Sequence, residues 1–421
     1  MTMHRRDFIK FSAAAALTGV IPPFAVASSK ASRRVVVIGG GFAGATVAKY
    51  MRLWTLGTVE VVVVEPSASF ISCPMSNLVL GGSKNLSDLT FGFAALQQHH
   101  GVQWVRDAVT AINPEAKKVV MSRGELSYDK LILAPGIDFI YDELPSMQSG
   151  EARLLIPHAW KAGEQTLRLQ QQLQAMPDNG VFVISIPLMP YRCPPGPYER
   201  ACQVASYFKK HKPRAKIIVL DANPDIVSKK GLFTRAWKEL YPDMIEYRPN
   251  SMVVDVNVTA RTVQTEFETV QSDVLNLIPP QRAGLPAQLA GVANIDRGWC
   301  EVDFITYESM VVPGVHVIGD AVSAGLPKSA HMATSHAHVC AAALTAMMNG
   351  AAPDPTPVFS NTCYSFVDDS QAMHVAHVYR YDSSKKMMLA AEGGGVSDHP
   401  SEQEGNYARD WAQNIWSDVL T

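Results

Sequence analysis

The sequence RRVVVIGGGFAGATVAKYMRLWTLGTVEVVVVE, which spans residues 33–65, decides the fold of this chain. Val35–Ile38 is a short β-branched run of the kind that forms buried parallel strands. A glycine-rich turn follows, and residues 45–53 have a helical pattern. Residues 59–64 are a second apolar run, which ends at Glu65. A strand, a turn, a helix and a second strand in this order predict one β-α-β unit of a dinucleotide-binding domain.

The turn of this unit carries the spacing G-x-G-x-x-G. Gly39 makes the tight turn, Gly41 lets a pyrophosphate approach the backbone, and Gly44 lets the helix pack on the strand. The N-terminus of the helix faces the phosphate charge. Glu65, 21 positions after Gly44, can accept hydrogen bonds from an adenosine ribose. The alternative is a glycine-rich turn in an ordinary α/β domain, and the motif alone does not distinguish NAD from FAD.

The residues before this unit have the pattern of an export signal. Arg5 and Arg6 form a twin-arginine pair, a mildly apolar stretch follows, and Ala25–Ala27 is a small-residue cleavage site. We expect cleavage after Ala27 and transport by the twin-arginine pathway to the bacterial periplasm, where disulfides persist. The alternative is a basic amphipathic helix at the N-terminus.

The composition indicates a globular chain with room for two or three domains, since it has 421 residues, 47% hydrophobic and 18% charged. Removing residues 1–27 takes away three basic residues and one acidic residue, which leaves 34 Lys and Arg against 38 Asp and Glu. This balance gives no indication of nucleic-acid binding. No run of 18 apolar residues follows the signal, so no transmembrane segment is expected.

The cysteines and histidines do not form a recognisable metal motif. None of the six cysteines lies in C-x-x-C or C-x-x-C-H, so a covalent haem would belong to another protein. His331, His336 and His338 are interpreted as packed or solvated side chains, and no metal site is expected.

A second strand–helix–strand pattern covers residues 181–221 and ends at Asp221. Its turn, residues 187–199, contains five prolines and no glycine fingerprint. Prolines lack N–H donors, so this turn is a poor cradle for a pyrophosphate. We infer a second domain that has lost nicotinamide binding, whose turn instead presents Cys193 and Glu199.

A third strand, residues 315–318, ends at Gly319 and Asp320. An aspartate at this position can bond the ribityl hydroxyls of a flavin, and the helix predicted over residues 329–348 points its N-terminus at anionic oxygens. Together with the first fingerprint, this selects FAD over NAD. Lys328 either stabilises a reduced anionic flavin or is a solvated lysine.

The patterns predict an α/β chain with two dinucleotide-binding, Rossmann-like domains of the FAD-dependent disulfide-oxidoreductase type and a small C-terminal α+β domain. We also expect a helix over residues 87–99 and a small antiparallel group with strands at 102–105, 108–112 and 118–121. The predicted divisions are a signal peptide at 1–27, a first part of the FAD-binding domain at 28–145, a second Rossmann-like domain without a nicotinamide site at 146–270, a second part of the FAD-binding domain at 271–350, and a C-terminal interface domain at 351–421.

Five segments carry a resemblance to one family: FISCPMSNLVLGG, YRCPPGPYERACQVASYFKKHKP, NLIPPQRAG, HVIGDA and NTCYS. Together they resemble the flavoprotein subunit of flavocytochrome c sulfide dehydrogenase, over essentially the whole chain. The resemblance implies a periplasmic sulfide dehydrogenase that forms a heterodimer with a c-type cytochrome subunit. Such an enzyme oxidises sulfide to sulfur or polysulfide and passes the electrons to the cytochrome.

The resemblance also implies roles for four residues. Cys73 would hold FAD covalently as an 8α-S-cysteinyl thioether, Cys193 and Cys363 would form a redox-active disulfide, and Glu199 would accept a proton. HS⁻ can attack such a disulfide to give a persulfide and a thiolate. Other readings are a buried free thiol at Cys73, a structural disulfide between the other two cysteines, and an acid at Glu199 that complements a helix dipole.

Three competing functions share parts of this pattern. A sulfide:quinone oxidoreductase needs a lipid-facing surface, whereas the tail SEQEGNYARDWAQNIWSDVLT is short and fairly polar. A non-catalytic flavoprotein partner in a sulfur-oxidation system would need no redox cysteines. A pyridine-nucleotide disulfide reductase has the same fold, but the proline-rich second turn argues against it.

Overall fold

The computed structural model describes residues 33–421. The predicted signal, with Arg5, Arg6 and the cleavage site after Ala27, lies outside the described residues. The helices are α1 Phe42–Trp54, α2 Asn77–Leu80, α3 Ala94–His100, α4 Gly150–Leu155, α5 Glu164–Ala175, α6 Gly196–His211, α7 Lys230–Leu240, α8 Leu285–Leu289, α9 Ala330–Met348 and α10 Glu402–Leu420.

The strands are β1 Arg34–Ile38, β2 Glu60–Val64, β3 Phe70–Ile71, β4 Thr90–Phe91, β5 Gln103–Val105, β6 Val109–Asn113, β7 Lys118–Met121, β8 Gly124–Ser127, β9 Lys130–Leu133, β10 Ile137–Phe139, β11 Val181–Ile186, β12 Lys216–Asp221, β13 Ile245–Arg248, β14 Val253–Asn257, β15 Thr262–Thr265, β16 Thr269–Gln271, β17 Val274–Leu277, β18 Gln281–Ala283, β19 Ala293–Ile295, β20 Trp299–Cys300, β21 Val315–Val317, β22 Val358–Phe366, β23 Ala372–Asp382, β24 Met387–Ala390 and β25 Gly395–Val396.

The first sheet is parallel and has the order β21-β9-β1-β2-β5. Val36 of β1 lies between Val62 of β2 and Leu131 of β9. All three side chains are buried, because helices cover a parallel sheet on both faces. The carboxyl ends of β1 and β21 therefore meet at one edge, where ligands bind in this class of fold.

Two predictions near this sheet were wrong. Residues 102–105 do not join the antiparallel group, because β5 pairs in parallel with β2, and the antiparallel sheet consists of β6, β7 and β8. The helix predicted over 87–99 is interrupted. Thr90 and Phe91 pair with β3, and a helix starts again only at Ala94. Threonine and phenylalanine favour strands, and here the pairing overrides the helical pattern.

The second sheet is also parallel, with the order β13-β12-β11-β17. β17 pairs with β11, so residues 274–277 complete this sheet, and the predicted boundary of the second domain after residue 270 falls too early. The chain re-enters the first sheet at β21. The C-terminal residues form an antiparallel sheet of β22, β23, β24 and β25, followed by α10. The helix predicted over 329–348 is α9. None of the helices in residues 33–421 has the length and apolar character needed to cross a membrane.

Candidate functional site

Two glycines of the first turn, Gly39 and Gly44, lie where a larger residue would collide with the backbone. Gly39 has φ +102°, and a Cβ atom there would lie 2.3 Å from the carbonyl oxygen of Ala134. A Cβ on Gly44 would lie 1.8 Å from the carbonyl oxygen of Gly39. Gly41 precedes α1, and a Cβ there would meet no atom within 4 Å. The turn therefore packs tightly on the sheet side and leaves the N-terminus of α1 open to a ligand.

This open side faces a cleft of about 680 Å³ that lies at the carboxyl ends of β1 and β21. Its volume falls in the range of cofactor pockets. The wall brings together segments that are far apart in sequence. They fall within residues 38–43, 64–77, 134–138, 160–162, 192–200, 318–320, 329–333 and 362–366. The cleft includes every predicted site residue except Gly44, which packs behind the turn, and Lys328.

Glu65 lines the cleft at the end of β2. Its Oε2 accepts a hydrogen bond of 2.7 Å from the N–H of Gly40, and its Oε1 accepts one of 2.8 Å from the N–H of Ser67. A carboxylate has about four acceptor sites, so these bonds fix its orientation and leave others for a ligand's hydroxyl groups.

Asp320 lies in the cleft beside Gly319, which has φ +76°. Within residues 33–421 its carboxylate makes no hydrogen bond, and burial raises its pKa above the usual range. A partly buried acid without a partner is costly unless a ligand supplies donors. The glycine turn, the acid at Glu65 and the unpartnered Asp320 together fit FAD, with Asp320 placed to bind its polyol chain.

Lys328 does not line this cleft, and it is only 8% exposed, so the alternative prediction of a solvated lysine is wrong. A role toward a reduced flavin stays a prediction. The Nζ of Lys328 donates to the carbonyl oxygens of Asp320, at 2.8 Å, and Val322, at 2.7 Å, and lies 3.8 Å from the centre of the Trp299 ring. Burial lowers its pKa to about 8. The side chain of Lys328 thus bonds to the loop that precedes it. The backbone carbonyl oxygen of Lys328 accepts a 2.7 Å hydrogen bond from the N–H of Cys193.

Cys73, Cys193 and Cys363 are half-buried thiols on the wall of this one cleft. Cys73 follows β3, Cys193 lies in the proline-rich turn with φ +58°, and Cys363 lies within β22. Burial raises the pKa of Cys193, and the neighbouring Cys363 and Glu199 raise it further. The disulfide between Cys193 and Cys363 stays a prediction. The other three cysteines, Cys202, Cys300 and Cys340, are buried.

Glu199 lies in the first turn of α6, but its carboxylate contacts other segments. Its Oε1 accepts a hydrogen bond from the N–H of Phe366 and its Oε2 accepts one from the Nδ2 of Asn77, both at 2.8 Å. Burial raises its pKa above the usual range, although these two donors oppose the shift. A half-buried carboxylate with a raised pKa beside two thiols is suited to accepting a proton.

Three polar residues around Glu199 and the two cysteines were not predicted from the sequence. Asn77 holds Glu199, and its Oδ1 accepts a 3.0 Å hydrogen bond from the Nε of Arg200. Arg200 is 2% exposed, and its guanidinium lies 4.8 Å from the ring centre of Trp160. Lys229 is a buried lysine beside Cys363. Asn77 and Arg200 lie within the segments that carry the resemblance, whereas Lys229 lies in a loop without any motif.

The second turn is filled by its own side chains. Tyr191 and Tyr198 are fully buried, and the hydroxyl of Tyr198 donates a 2.7 Å hydrogen bond to Asp221. Asp221 also accepts hydrogen bonds from the hydroxyl of Tyr247, at 3.0 Å, and from Asn223. This acid ends β12 as Glu65 ends β2, but internal donors occupy the positions that a nucleotide ribose would need.

Comparison with known proteins places three family profiles along the chain. A profile described as "Pyridine nucleotide-disulphide oxidoreductase" matches residues 33–170. "Sulfide dehydrogenase [flavocytochrome c] flavoprotein chain, central" matches residues 166–279, and "Flavocytochrome c sulphide dehydrogenase, flavin-binding" matches residues 355–420. The first of these profiles agrees with the predicted FAD-dependent disulfide-oxidoreductase fold.

Similar proteins include two relatives that are compared by sequence and one solved structure. A sulfide dehydrogenase [flavocytochrome c] flavoprotein chain from Chlorobaculum thiosulfatiphilum is 50% identical over 48 residues, which are 11% of this chain and 98% of that sequence. The mitochondrial sulfide:quinone oxidoreductase of Mus musculus is 28% identical over 321 residues, covering 73% of this chain and 69% of the relative.

The X-ray structure of the sulfide:quinone oxidoreductase from Aquifex aeolicus has the same fold, with a TM-score of 0.74 at 17% identity, and it covers 92% of this chain and 91% of that chain. The fold class is thus confirmed. This chain is a sulfide-oxidising FAD flavoprotein and belongs to the family of the flavoprotein chain of flavocytochrome c sulfide dehydrogenase.

Proposed function

We propose that this protein is the flavoprotein subunit of a periplasmic sulfide dehydrogenase that passes electrons to a c-type cytochrome subunit. One observation carries the proposal: Cys73, Cys193, Cys363 and Glu199 all line the cleft that the dinucleotide fingerprint opens. Substrate chemistry and cofactor binding therefore share one space. The twin-arginine motif and the cleavage site after Ala27 support delivery to the periplasm.

The cysteine pair would perform the first step on sulfide. HS⁻ attacks one sulfur of a Cys193–Cys363 disulfide, so that the S–S bond breaks, a new S–S bond forms in a persulfide, and the other sulfur leaves as a thiolate. Glu199 is placed to take up the persulfide proton, because its raised pKa suits a base that works above the usual carboxyl range. Bound FAD would accept the electron pair and release it in one-electron steps.

Cys73 would hold the cofactor covalently, in agreement with its half-buried position on the cleft wall. Asn77, four residues later, contacts Glu199 through its side chain. The loop that would carry the flavin linkage is thereby connected to the proposed base. A covalent bond at this point would keep the cofactor in place during export.

A quinone acceptor is the second candidate, because the mouse sulfide:quinone oxidoreductase matches most of the chain. α10 supports the cytochrome instead. Its apolar side chains Ala408, Ala412 and Ile415 are buried in the protein, while its first turn carries Glu402 and Glu404. A lipid-facing helix would direct its apolar side chains outward.

An anaerobic titration of the holoprotein tests the proposal. Sulfide should bleach the flavin absorbance, and oxidised cytochrome c should restore it faster than decylubiquinone does. The Cys193→Ser variant should bind FAD equally well but show no bleaching, because it cannot form the disulfide. Restoration by the quinone alone would establish the second candidate, and a flavin that sulfide does not bleach would refute both.

A further inference from the structure

Lys229 is a buried lysine next to the candidate site. It lies between β12 and α7, and its backbone has φ +53°, an uncommon value for a residue with a side chain. The side chain is only 8% exposed. A buried ammonium costs free energy unless nearby groups compensate its charge.

The partners of Lys229 lie on the strand that carries Cys363. Its Nζ donates to the carbonyl oxygen of Cys363 and to the Oγ of Ser365, both at 2.9 Å. An ammonium has three donors, and the third has no partner within residues 33–421. The same part of the chain offers Lys229 no ion pair with a carboxylate. Neutral acceptors alone do not explain why a charged residue is buried here.

The groups that can become anionic around Lys229 are those of the proposed reaction. Burial lowers the pKa of Lys229, and nearby negative charge opposes this shift. The groups whose negative charge opposes the shift are, from the largest effect to the smallest, Cys363, Glu199, Cys193 and Glu404. Cys193 in turn faces Cys363, Glu199, Arg192 and Lys229, and its own pKa is raised mainly by burial. The two sulfurs therefore differ in their surroundings, because the ammonium of Lys229 is hydrogen-bonded to the strand that carries Cys363.

We propose that Lys229 is a positioning residue that stabilises the thiolate of Cys363 and so determines which sulfur of the pair carries the negative charge. The proposal rests on the redox role given above to Cys193 and Cys363. When HS⁻ attacks Cys193, the Cys193–Cys363 bond breaks and a Cys193 persulfide forms. The electron pair of the broken bond, with the negative charge that HS⁻ brought, then remains on Cys363.

The test is the alkylation of the two thiols in holoprotein reduced with a phosphine, without sulfide or an electron acceptor. Only the thiolate reacts with iodoacetamide, and mass spectrometry distinguishes the two peptides. In the wild type, Cys363 should react faster than Cys193 at pH 7. In Lys229→Met, Cys363 should react at least about tenfold more slowly, because the cation that stabilises its thiolate is removed.

Two further variants separate charge from packing. Lys229→Arg keeps the cation and should retain the fast reaction of Cys363. Lys230→Met removes the neighbouring exposed lysine, which pairs with Asp225 instead, and should leave both rates unchanged. The flavin content and the melting temperature identify any variant that is misfolded, and Lys229→Gln then replaces Lys229→Met.

The proposal is overturned if folded Lys229→Met alkylates like the wild type, or if Lys229→Arg loses the fast reaction as completely as Lys229→Met. Neither result depends on sulfide turnover. A wild type that shows the expected alkylation pattern but no bleaching by sulfide would refute the proposed function and leave the role of Lys229 intact.

Discussion

At the scale of single residues, Glu199 shows how the fold prepares a base. The N–H of Phe366 and the amide of Asn77 each occupy one carboxylate oxygen. Arg200 can only donate, so its bond to the Oδ1 of Asn77 forces the amide nitrogen to face Glu199. The remaining acceptor sites of the carboxylate are left for the proton that the reaction releases.

Replacing Glu199 with Gln should lower sulfide turnover by about 10²-fold or more, the usual contribution of a general base. Burial raises the pKa of Glu199 above its ordinary value of 4.5. A base works only when unprotonated, so wild-type turnover should fall as the pH decreases through that raised pKa. The variant should lack this acid limb in a pH profile of steady-state rates.

Sulfide ionises in the same way with both proteins, so only the difference between the two profiles reports on Glu199. The exposed residue Glu164 on α5 provides the matched control, and Glu164→Gln should behave like the wild type. Identical profiles for Glu199→Gln and the wild type would rule out Glu199 as the proton acceptor.

Cys73 gives a prediction that does not depend on catalysis. If it carries the flavin as a thioether, acid precipitation of the wild type should leave the flavin absorbance in the protein pellet. Cys73→Ser should release the flavin into the supernatant. Cys193→Ser, which changes another thiol of the same cleft, should keep it in the pellet. A colourless wild-type pellet would show that the flavin is held without a covalent bond.

At the scale of elements, the turn between β1 and α1 separates folding from binding. A methyl group on Gly44 would collide with the carbonyl oxygen of Gly39, whereas one on Gly41 would meet no protein atom within 4 Å. Gly44→Ala should therefore destabilise the protein by about 1–3 kcal/mol. Gly41→Ala should keep the wild-type stability without FAD but bind FAD more weakly, because the methyl group enters the space of the pyrophosphate.

Because a thioether at Cys73 would keep the flavin attached, both variants are made in the Cys73→Ser background. Thermal unfolding of these proteins without FAD, and FAD titration of each, then check the pair. Equal FAD affinity of Gly41→Ala and the wild type would mean that the cofactor does not approach this turn. A Gly44→Ala protein as stable as the wild type would mean that α1 packs less tightly on the sheet than the structure shows.

The elements also show what the sequence could predict. The β1-α1-β2 unit and α9 have strong local signals, namely a glycine fingerprint and apolar runs with clear ends. β5 and β4 have no such signals. Each is three residues or fewer, and its partner is decided by tertiary pairing with β2 or β3. A periodic pattern over so few residues cannot distinguish a parallel edge strand from an antiparallel one.

At the scale of the whole molecule, the candidate site is formed by segments that are far apart in sequence and contact one another in the fold. Arg200 connects α6 to Asn77 and to Asn276 through hydrogen bonds of 3.0 and 2.8 Å. It also donates to the carbonyl oxygens of His158 and Ala159. The resemblance suggested the candidate residues, but the contacts that orient them span up to 167 positions. Such contacts leave no local periodic signal, and Lys229 was missed for this reason.

The second turn has an effect on the whole molecule as well. The carboxylate of Asp221 already accepts hydrogen bonds from Tyr198, Tyr247 and Asn223. We therefore expect neither NADH nor NADPH to bleach the flavin in the titration. Bleaching by either nucleotide would mean that this filled turn can open. The result would then favour a disulfide reductase.

Lys328 is hydrogen-bonded both to Asp320 and to Cys193, which lie on different walls of the cleft. Its Nζ holds the carbonyl oxygen of Asp320, and its own carbonyl oxygen holds the N–H of Cys193. The seven residues between Asp320 and Lys328 therefore act as a spacer of fixed length between the cofactor acid and the reactive turn. In natural variants of this protein, insertions and deletions should be rarer in this loop than in exposed loops such as residues 383–386 between β23 and β24.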